Sequence, residues 1–376
     1  MTHAVLFLCR QSARPFLLIV ICSIRQEMHP SRKNKNMPRL AQWILLPWWT
    51  LQLATGSKSF LDNPLIGSSR LNALGLHVGR VRLAQWMTAR RRSRLAAELS
   101  PADRHAFDRD GFIEIRDFLP PEQFAALREQ IAAYQAVPRE MAQGHTITRR
   151  FALDGTARRA MPALDGFIRQ PRWRALARYI ASFDIEPLLY IQSILTHRLD
   201  APPDPQIQLH ADTFYPAMKA WLFLEDVPAE GGPFTYVPGS HRLTPARAAW
   251  EKQRSLTARD GDCRLSARGS LRIDEAELAG LGLPPPRQFP VPANTLVIAD
   301  TFGFHARGEA AQRSTRVELW AYGRRNPFRP LVGLDIWSLP GITERRINLR
   351  WGLRDAVARW IGHPWRPAGM KRPADD

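Results

Sequence analysis

Cysteine is scarce in this chain: three in 376 residues, Cys9, Cys22 and Cys263. Two of them fall in the first 36 residues, so the folded part holds one lone thiol. That excludes a disulfide scaffold and points to a reducing compartment. Long apolar runs are missing too. "PFLLIVICSI" (15–24) has ten residues and "LAQWILLPWWTLQLA" (40–54) has fifteen, the second broken by Pro47; a membrane-spanning helix needs roughly 20. The first run has the length of a signal-peptide core, but no small-x-small cleavage site follows it. Nucleic-acid modules and aromatic stacking platforms are absent, which argues against a nucleic-acid partner. Acidic residues are few at both ends of the chain. Residues 1–100 carry fifteen Lys/Arg against three acids, and residues 343–376 carry eight against four.

What is present is therefore a nearly neutral middle between basic flanks, in a chain whose net charge is +18. Basic flanks suit an anionic surface. Residues 1–36 are expected to be unfolded or to precede the true start of translation, at Met28 or Met37. Residues 37–100 read as a basic amphipathic segment. Trp43, Trp48 and Trp49 suit the headgroup boundary, where the ring is apolar and its N–H stays wet. In "LHVGRVRLAQWMTARRRSRLAAEL" (76–99), Arg80, Arg82, Arg90, Arg91, Arg92 and Arg94 could meet anionic headgroups. Leu76, Val78, Val81, Leu83, Trp86 and Met87 would lie in the interface. The plainer alternative is a pair of helices packed on the catalytic domain with solvated arginine faces. The localisation expected is cytoplasmic, peripheral on the inner face of the cell membrane.

From residue 101 the texture changes. "PADRHAFDRDGFIEIRDFLPPEQFAALREQIAAY" reads as a helix start, a short strand from Phe112 to Ile115, a Pro-Pro break, and an amphipathic helix with Phe124, Leu127, Ile131 and Tyr134 on one face. After about residue 185 come short β-type runs between Pro/Gly turns: "LLYIQSILTHRL", "IQLHADTF", "AWLFLEDV", "FTYVPGSH", "NTLVIADTF" and "VELWAYGRR". Many short strands with helices upstream make an α+β class, with a β-sandwich or barrel at its centre. Residues 101–330 would form this domain. Residues 331–376 would add a helix and tail, the helix at 345–362 placing Leu349, Leu353, Ala356, Val357, Trp360 and Ile361 on one face.

Within the run "LHAD", His210 and Asp212 sit two apart, so a strand points both to one side. A polar surface strand is the bland reading. His305 ends the apolar strand "NTLVIADTF" and would be presented at a sheet rim. Two imidazoles and one carboxylate on one face of an ion leave three positions open, as in non-haem Fe(II) oxygenases. Arg316, eleven residues past His305, offers a planar fork suited to a carboxylate.

His210-x-Asp212, "WLFLEDVPAEGGPFTYVPGSHR", His305 and Arg316, together with the opening "FDRDGFIEIRDFLPPEQFAALREQI", resemble the phytanoyl-CoA dioxygenase family of Fe(II)/2-oxoglutarate oxygenases over roughly residues 101–325. The resemblance implies a double-stranded β-helix (jelly roll) with flanking helices. It implies Fe(II), 2-oxoglutarate and O₂ as cofactors, with ascorbate as a stimulant. His210, Asp212 and His305 would bind the metal and Arg316 the outer carboxylate of 2-oxoglutarate. Gln192, Gln208 and Thr235 are candidates for its inner carboxylate, and Arg307 for the co-substrate or an anionic substrate. His241 in "VPGSH" reads as a turn residue, not a ligand. The retained Asp212 favours hydroxylation over halogenation, since related halogenases carry a small residue there. The short "TFYPAMKA" connection implies a different lid. The substrate expected is a membrane-borne anionic lipid or lipid-linked sugar. The alternatives are a soluble acyl-CoA or secondary metabolite, or a catalytically silent membrane-bound partner protein. The oligomeric state is not legible.

Overall fold

In the computed structural model, which describes residues 39–376 apart from 334–336, 338 and 340, eleven strands build two antiparallel sheets. The expectation for the first 36 residues lies outside the described residues. The strands are β1 (Phe112–Ile115), β2 (Arg139–Gln143), β3 (Thr146–Ala152), β4 (Leu188–Thr196), β5 (Met218–Phe223), β6 (Phe234–Tyr236), β7 (Arg287–Gln288), β8 (Leu296–Asp300), β9 (His305–Arg307), β10 (Ser314–Gly323) and β11 (Arg366–Pro367). The large sheet runs β1-β8-β5-β10-β4-β3-β2-β11 and the small one β7-β6-β9. With the helices outside, this is the expected α+β jelly-roll architecture.

Alternation along the large sheet's strands decides what each face does. On β10, Val317, Leu319 and Ala321 join Leu189 and Ile191 of β4 and Met218, Ala220 and Leu222 of β5 in the main core. That core is completed by helices: Phe124, Leu127 and Ile131 from Pro121–Ala133, and Trp173, Leu176 and Ile180 from Pro171–Ala181. The predicted face of the first of these helices is therefore right, with Tyr134 as its C-cap. The other face of the large sheet looks toward the small one. Trp221, Phe234, Phe289, Val297 and Trp320 fill one end of the gap between them; a cavity occupies the other.

The flanks pack onto this frame. In the helix Leu76–Leu95, Val78, Val81, Ala84 and Leu95 are buried, and so are Arg80 and Arg91. Arg91 donates to the Ser182, Pro327 and Arg329 carbonyls at 2.8–3.1 Å. Arg80 donates to the carbonyls of Leu53, Thr55 and Ser57 at 2.7–3.0 Å. Arg92 reaches the Ile180 carbonyl at 2.6 Å and the Asp300 carboxylate at 2.9 Å. The expectation that all six arginines meet headgroups is thus corrected: Arg80, Arg91 and Arg92 saturate buried carbonyls, and Arg82, Arg90 and Arg94 are exposed. Val78 and Val81 also turn inward, whereas Leu83 and Trp86 stay exposed. In the helix Arg39–Leu53, Trp49 is buried and Trp48 lines the cavity, leaving Trp43 of that trio outward.

The helix Arg346–Ile361 differs from its predicted face. Ile347 and, as predicted, Val357 are buried, and Trp351 packs on the cluster that holds Ile347, while Leu349 and Ala356 are exposed; the side chains of Trp360 and Ile361 lie outside the described residues. Arg350 and Arg354 share the inward stripe because they line the cavity. No helix of the described residues is long and apolar enough to cross a membrane.

Candidate active site

His210 and His305 are held side by side by a two-residue antiparallel bridge, each N–H donating to the other's carbonyl at 3.0 Å. Ala211 donates to Leu271 on the opposite side at 3.0 Å, so "LHA" is a short strand inside an extended small sheet. Asp212 then turns away, its N–H on the Thr301 carbonyl at 2.9 Å. The Pro-Gly-Ser-His turn is structural, as expected. Ser240 donates to Val237 at 2.6 Å and accepts from the Phe304 N–H at 2.8 Å, which braces the loop entering β9. His241 packs against Phe107 instead of joining the triad. The same loop needs a glycine at 303, because a Cβ there would collide with the Tyr236 hydroxyl.

Both imidazoles have their tautomers fixed. The Nδ1 of His210 donates to the Gln208 carbonyl at 2.7 Å and that of His305 to the Gly303 carbonyl at 3.0 Å. A carbonyl only accepts, so each Nδ1 keeps its proton and Nε2 is the atom left to face a metal. These Nε2 atoms stand 3.8 and 3.6 Å from Asp212 Oδ1. One donor atom from each of the three residues falls within 4.8 Å of the others. The Nε2 of His305 is buried and has no hydrogen-bond partner.

Electrostatics keep the set in ligand form. Burial, with His305 and Arg272 nearby, holds His210 well below the ordinary imidazole range, hence neutral. Burial alone would raise the Asp212 carboxyl, but Lys219 and the two imidazoles outweigh it and keep the group ionised. Lys219 Nζ lies 2.7 Å from Asp212 Oδ2. Two imidazoles whose Nδ1 atoms are tied to carbonyls, one carboxylate and a buried Nε2 without a hydrogen-bond partner fit Fe(II), with coordination positions to spare.

The triad opens into a cavity of about 860 Å³. Its wall follows from the alternation of the large sheet: Arg316, Glu318, Trp320 and Tyr322 from β10, Tyr190 and Gln192 from β4, Lys219 and Trp221 from β5, Thr148 and Arg150 from β3. Arg316 is there as predicted, its Nε on Glu318 at 3.1 Å and its Nη1 on the Gly232 carbonyl at 2.6 Å. Gln192 is there too, donating to Glu318 at 2.7 Å and accepting from Arg150 at 2.8 Å. Arg307 also lines the cavity, tied to Asp204 at 2.5 Å.

Two predicted residues are not brought to the site. Gln208 is exposed and contributes only its carbonyl, because a turn closed by Ile207 N–H on Asp204 interrupts the strand pattern before Leu209. Gln206 lines the cavity instead. Thr235 is buried but points to the other side of β6 from Phe234, which is the residue facing the triad.

Sequence reasoning missed Arg150, Lys219, Lys58 and Arg324. Arg150 stacks on Trp320 at 3.8 Å and on Trp365 at 4.5 Å. Lys58 donates to the Asp212 carbonyl at 2.5 Å, and burial, with Arg324 beside it, pushes its ammonium down to about 7. Arg324 donates to the hydroxyls of Tyr215 at 2.8 Å and Tyr322 at 3.3 Å. Period two on "MKAWLF" would have placed Lys219 with Trp221; Lys58 left no comparable signal.

Residues 107–273 match the family model of phytanoyl-CoA dioxygenase. That span contains His210 and Asp212; His305 and Arg316 lie beyond it. No curated protein matches the chain. Among solved structures, the chain is similar to the epimerase SnoN in complex with Fe3+, alpha ketoglutarate and nogalamycin RO, at 21% identity and TM-score 0.39, covering 60% of this chain and 83% of that one. It is also similar to HygX from Streptomyces hygroscopicus with nickel, 2-oxoglutarate and hygromycin B bound, at 17% identity and TM-score 0.36, over 60% and 87%. A third is EctD from S. alaskensis with 2-oxoglutarate and 5-hydroxyectoine, at 17% identity and TM-score 0.37, over 64% and 83%. Likenesses this distant leave the argument to the family match and to the site. On those two grounds residues 107–273 are placed with the phytanoyl-CoA dioxygenase family, and the site is that of an Fe(II)- and 2-oxoglutarate-dependent oxygenase.

Proposed function

We propose that this oxygenase hydroxylates an aliphatic C–H of a membrane-borne anionic lipid or lipid-linked sugar. His210, Asp212 and His305 would hold the iron, and Arg316 the outer carboxylate of 2-oxoglutarate. The observation that carries the reaction is the convergence of the three side chains on a buried, unpartnered Nε2 at the end of a cationic cavity. Bound Fe(II), with 2-oxoglutarate and O₂, supplies the oxidative decarboxylation to succinate and CO₂ that makes an unactivated C–H reactive. The chain's own residues do the rest. The Gln208 and Gly303 carbonyls aim the imidazoles. Lys219 keeps Asp212 ionised. Arg316 offers a fixed guanidinium to a carboxylate. Trp221, Phe234 and Trp320 keep water from that end of the cavity.

Support for a membrane location comes from the outer surface of residues 39–95. Trp43, Ile44, Leu83 and Trp86 are 47–72% exposed, beside Arg82, Arg90 and Arg94. That mixture suits an anionic interface. A soluble secondary metabolite is the second reading, since a cavity of about 860 Å³ also takes a free small molecule.

The test compares lipid extracts from cells expressing the intact gene with those from cells expressing Asp212→Ala. A lipid that gains one oxygen only with the intact gene is expected. Identical lipid profiles, with succinate formation still dependent on Asp212, would move the substrate to the soluble class. Undiminished 2-oxoglutarate turnover by Asp212→Ala would overturn the site itself.

A further inference from the structure

The cavity is lined by ten lysines and arginines and two acids, Asp212 and Glu318. Both acids are taken: Lys219 pairs with Asp212 at 2.7 Å and Arg316 with Glu318 at 3.1 Å. Lys58 and Arg324 have no carboxylate within 4.0 Å among the described residues; what they touch is a main-chain carbonyl and two tyrosine hydroxyls. Cations confined together in a partly desolvated space repel one another unless an anion joins them. The co-substrate dianion is accounted for by iron and Arg316, so it does not neutralise this second group.

We infer that Lys58 and Arg324, with the hydroxyls of Tyr215 and Tyr322, form a clamp for a phosphate group of the substrate. The inference rests on the oxygenase reading of the same cavity and names its substrate class. Phosphate is favoured over carboxylate because Lys58 and Arg324 together carry more positive charge than one carboxylate would balance. Arg324 uses two of its five donors on the tyrosines, leaving others for phosphate oxygens. Because Lys58 touches the main chain of Asp212, a clamped phosphate sits beside the triad. The oxidised carbon then lies within a few bonds of it. Lys58 precedes the residues that match the family and Arg324 follows them.

The probe is phenyl phosphate, which carries the dianion and a ring for the tryptophan wall. Its binding to the full chain loaded anaerobically with Fe(II) and 2-oxoglutarate is measured by calorimetry, with benzyl alcohol as the neutral control. The visible absorption of the Fe(II)–2-oxoglutarate complex is read in parallel. Phenyl phosphate should bind far more tightly than benzyl alcohol, and Arg324→Gln or Lys58→Gln should each weaken it about tenfold, the value of one charge-assisted hydrogen bond. Equal binding of phosphate and alcohol, or unchanged affinity in both variants, overturns the clamp. If Arg324→Gln loses the absorption, Arg324→Lys decides. Absorption regained together with affinity supports the clamp; absorption regained without affinity overturns it. A wild-type chain that binds phenyl phosphate but never forms the absorption would sink the oxygenase reading and leave the clamp standing. Displacement of the probe by phosphatidic-acid vesicles assigns the phosphate to a lipid. Displacement by glycerol 3-phosphate alone assigns it to a soluble ester.

Discussion

Three arginines of the helix Leu76–Leu95 face in and three face out, and nothing in their composition separates them. Arg80, Arg91 and Arg92 end on main-chain carbonyls or on Asp300. Arg82, Arg90 and Arg94 are exposed. The inward set makes the helix part of the catalytic frame. Asp300, which Arg92 holds, also accepts from the N–H groups of Ala217 and Phe302 at 3.2 and 3.0 Å, at the root of the loop that delivers His305. The outward set does no such work. A basic stretch can thus be a scaffold and a surface at once, one stripe for each.

Substituting one arginine from each set tests that division most severely. Arg91→Met removes a guanidinium whose five hydrogen bonds end on Ser182, Pro327, Arg329 and Thr88. Unsatisfied buried carbonyls remain, so a loss of about 3–5 kcal/mol is expected. Arg82→Gln on the exposed side should stay within about 0.5 kcal/mol of wild type. Denaturant unfolding of the two variants measures both, and equal losses would erase the distinction.

A smaller effect is expected from the hydrogen-bonded carboxylate that closes the inner side of the same helix. His77 Nε2 lies 2.8 Å from Glu251, which also pairs with Arg247 at 3.0 Å. Burial alone would raise the Glu251 carboxyl, but Arg247 and His77 hold it below its ordinary value of 4.5. A carboxylate depressed by folding contributes stability above its unfolded pKa, and that contribution fades as pH falls through the folded one. Unfolding free energy should therefore decline below about pH 4.5, less steeply in Glu251→Gln. Identical pH profiles would show that the link does not anchor the helix.

How much of this was readable follows from where the information sits. His210 and Asp212 were legible as a pair from their spacing and His305 because it ends an apolar run, but the pair does not share one strand: His210 bridges His305 and Asp212 turns away to Thr301. Gln208 failed on the same rule, since the turn from Asp204 to Ile207 breaks the alternation immediately before it. Thr235 failed because a three-residue strand gives no phase from which to choose a face. Arg150 was hidden: β2 and β3 carry charged residues on both faces, so no apolar alternation marks them as strands. The inward arginines were hidden for a different reason. Their partners are mostly carbonyls 23 to 238 residues away in the chain, and a carbonyl leaves no mark in a sequence.

The outer stripe offers the finest test, because its effect is small and separate from folding. Leu83 and Trp86 are 47% and 58% exposed, one turn apart, and Arg90 lies one further turn along. If that stripe meets an anionic membrane, each arginine near the surface is worth about 1 kcal/mol, roughly fivefold in affinity. Arg90→Gln should then weaken binding to vesicles containing phosphatidylglycerol about fivefold, and Trp86→Ser by a comparable factor that persists in high salt. The salt dependence separates the contributions, since screening removes the arginine's share and leaves the burial of the ring. Neither substitution should move the unfolding midpoint or the 2-oxoglutarate absorption. Vesicle binding that survives both changes would leave the outer arginines solvated, and the helix would be a scaffold on its inner side alone.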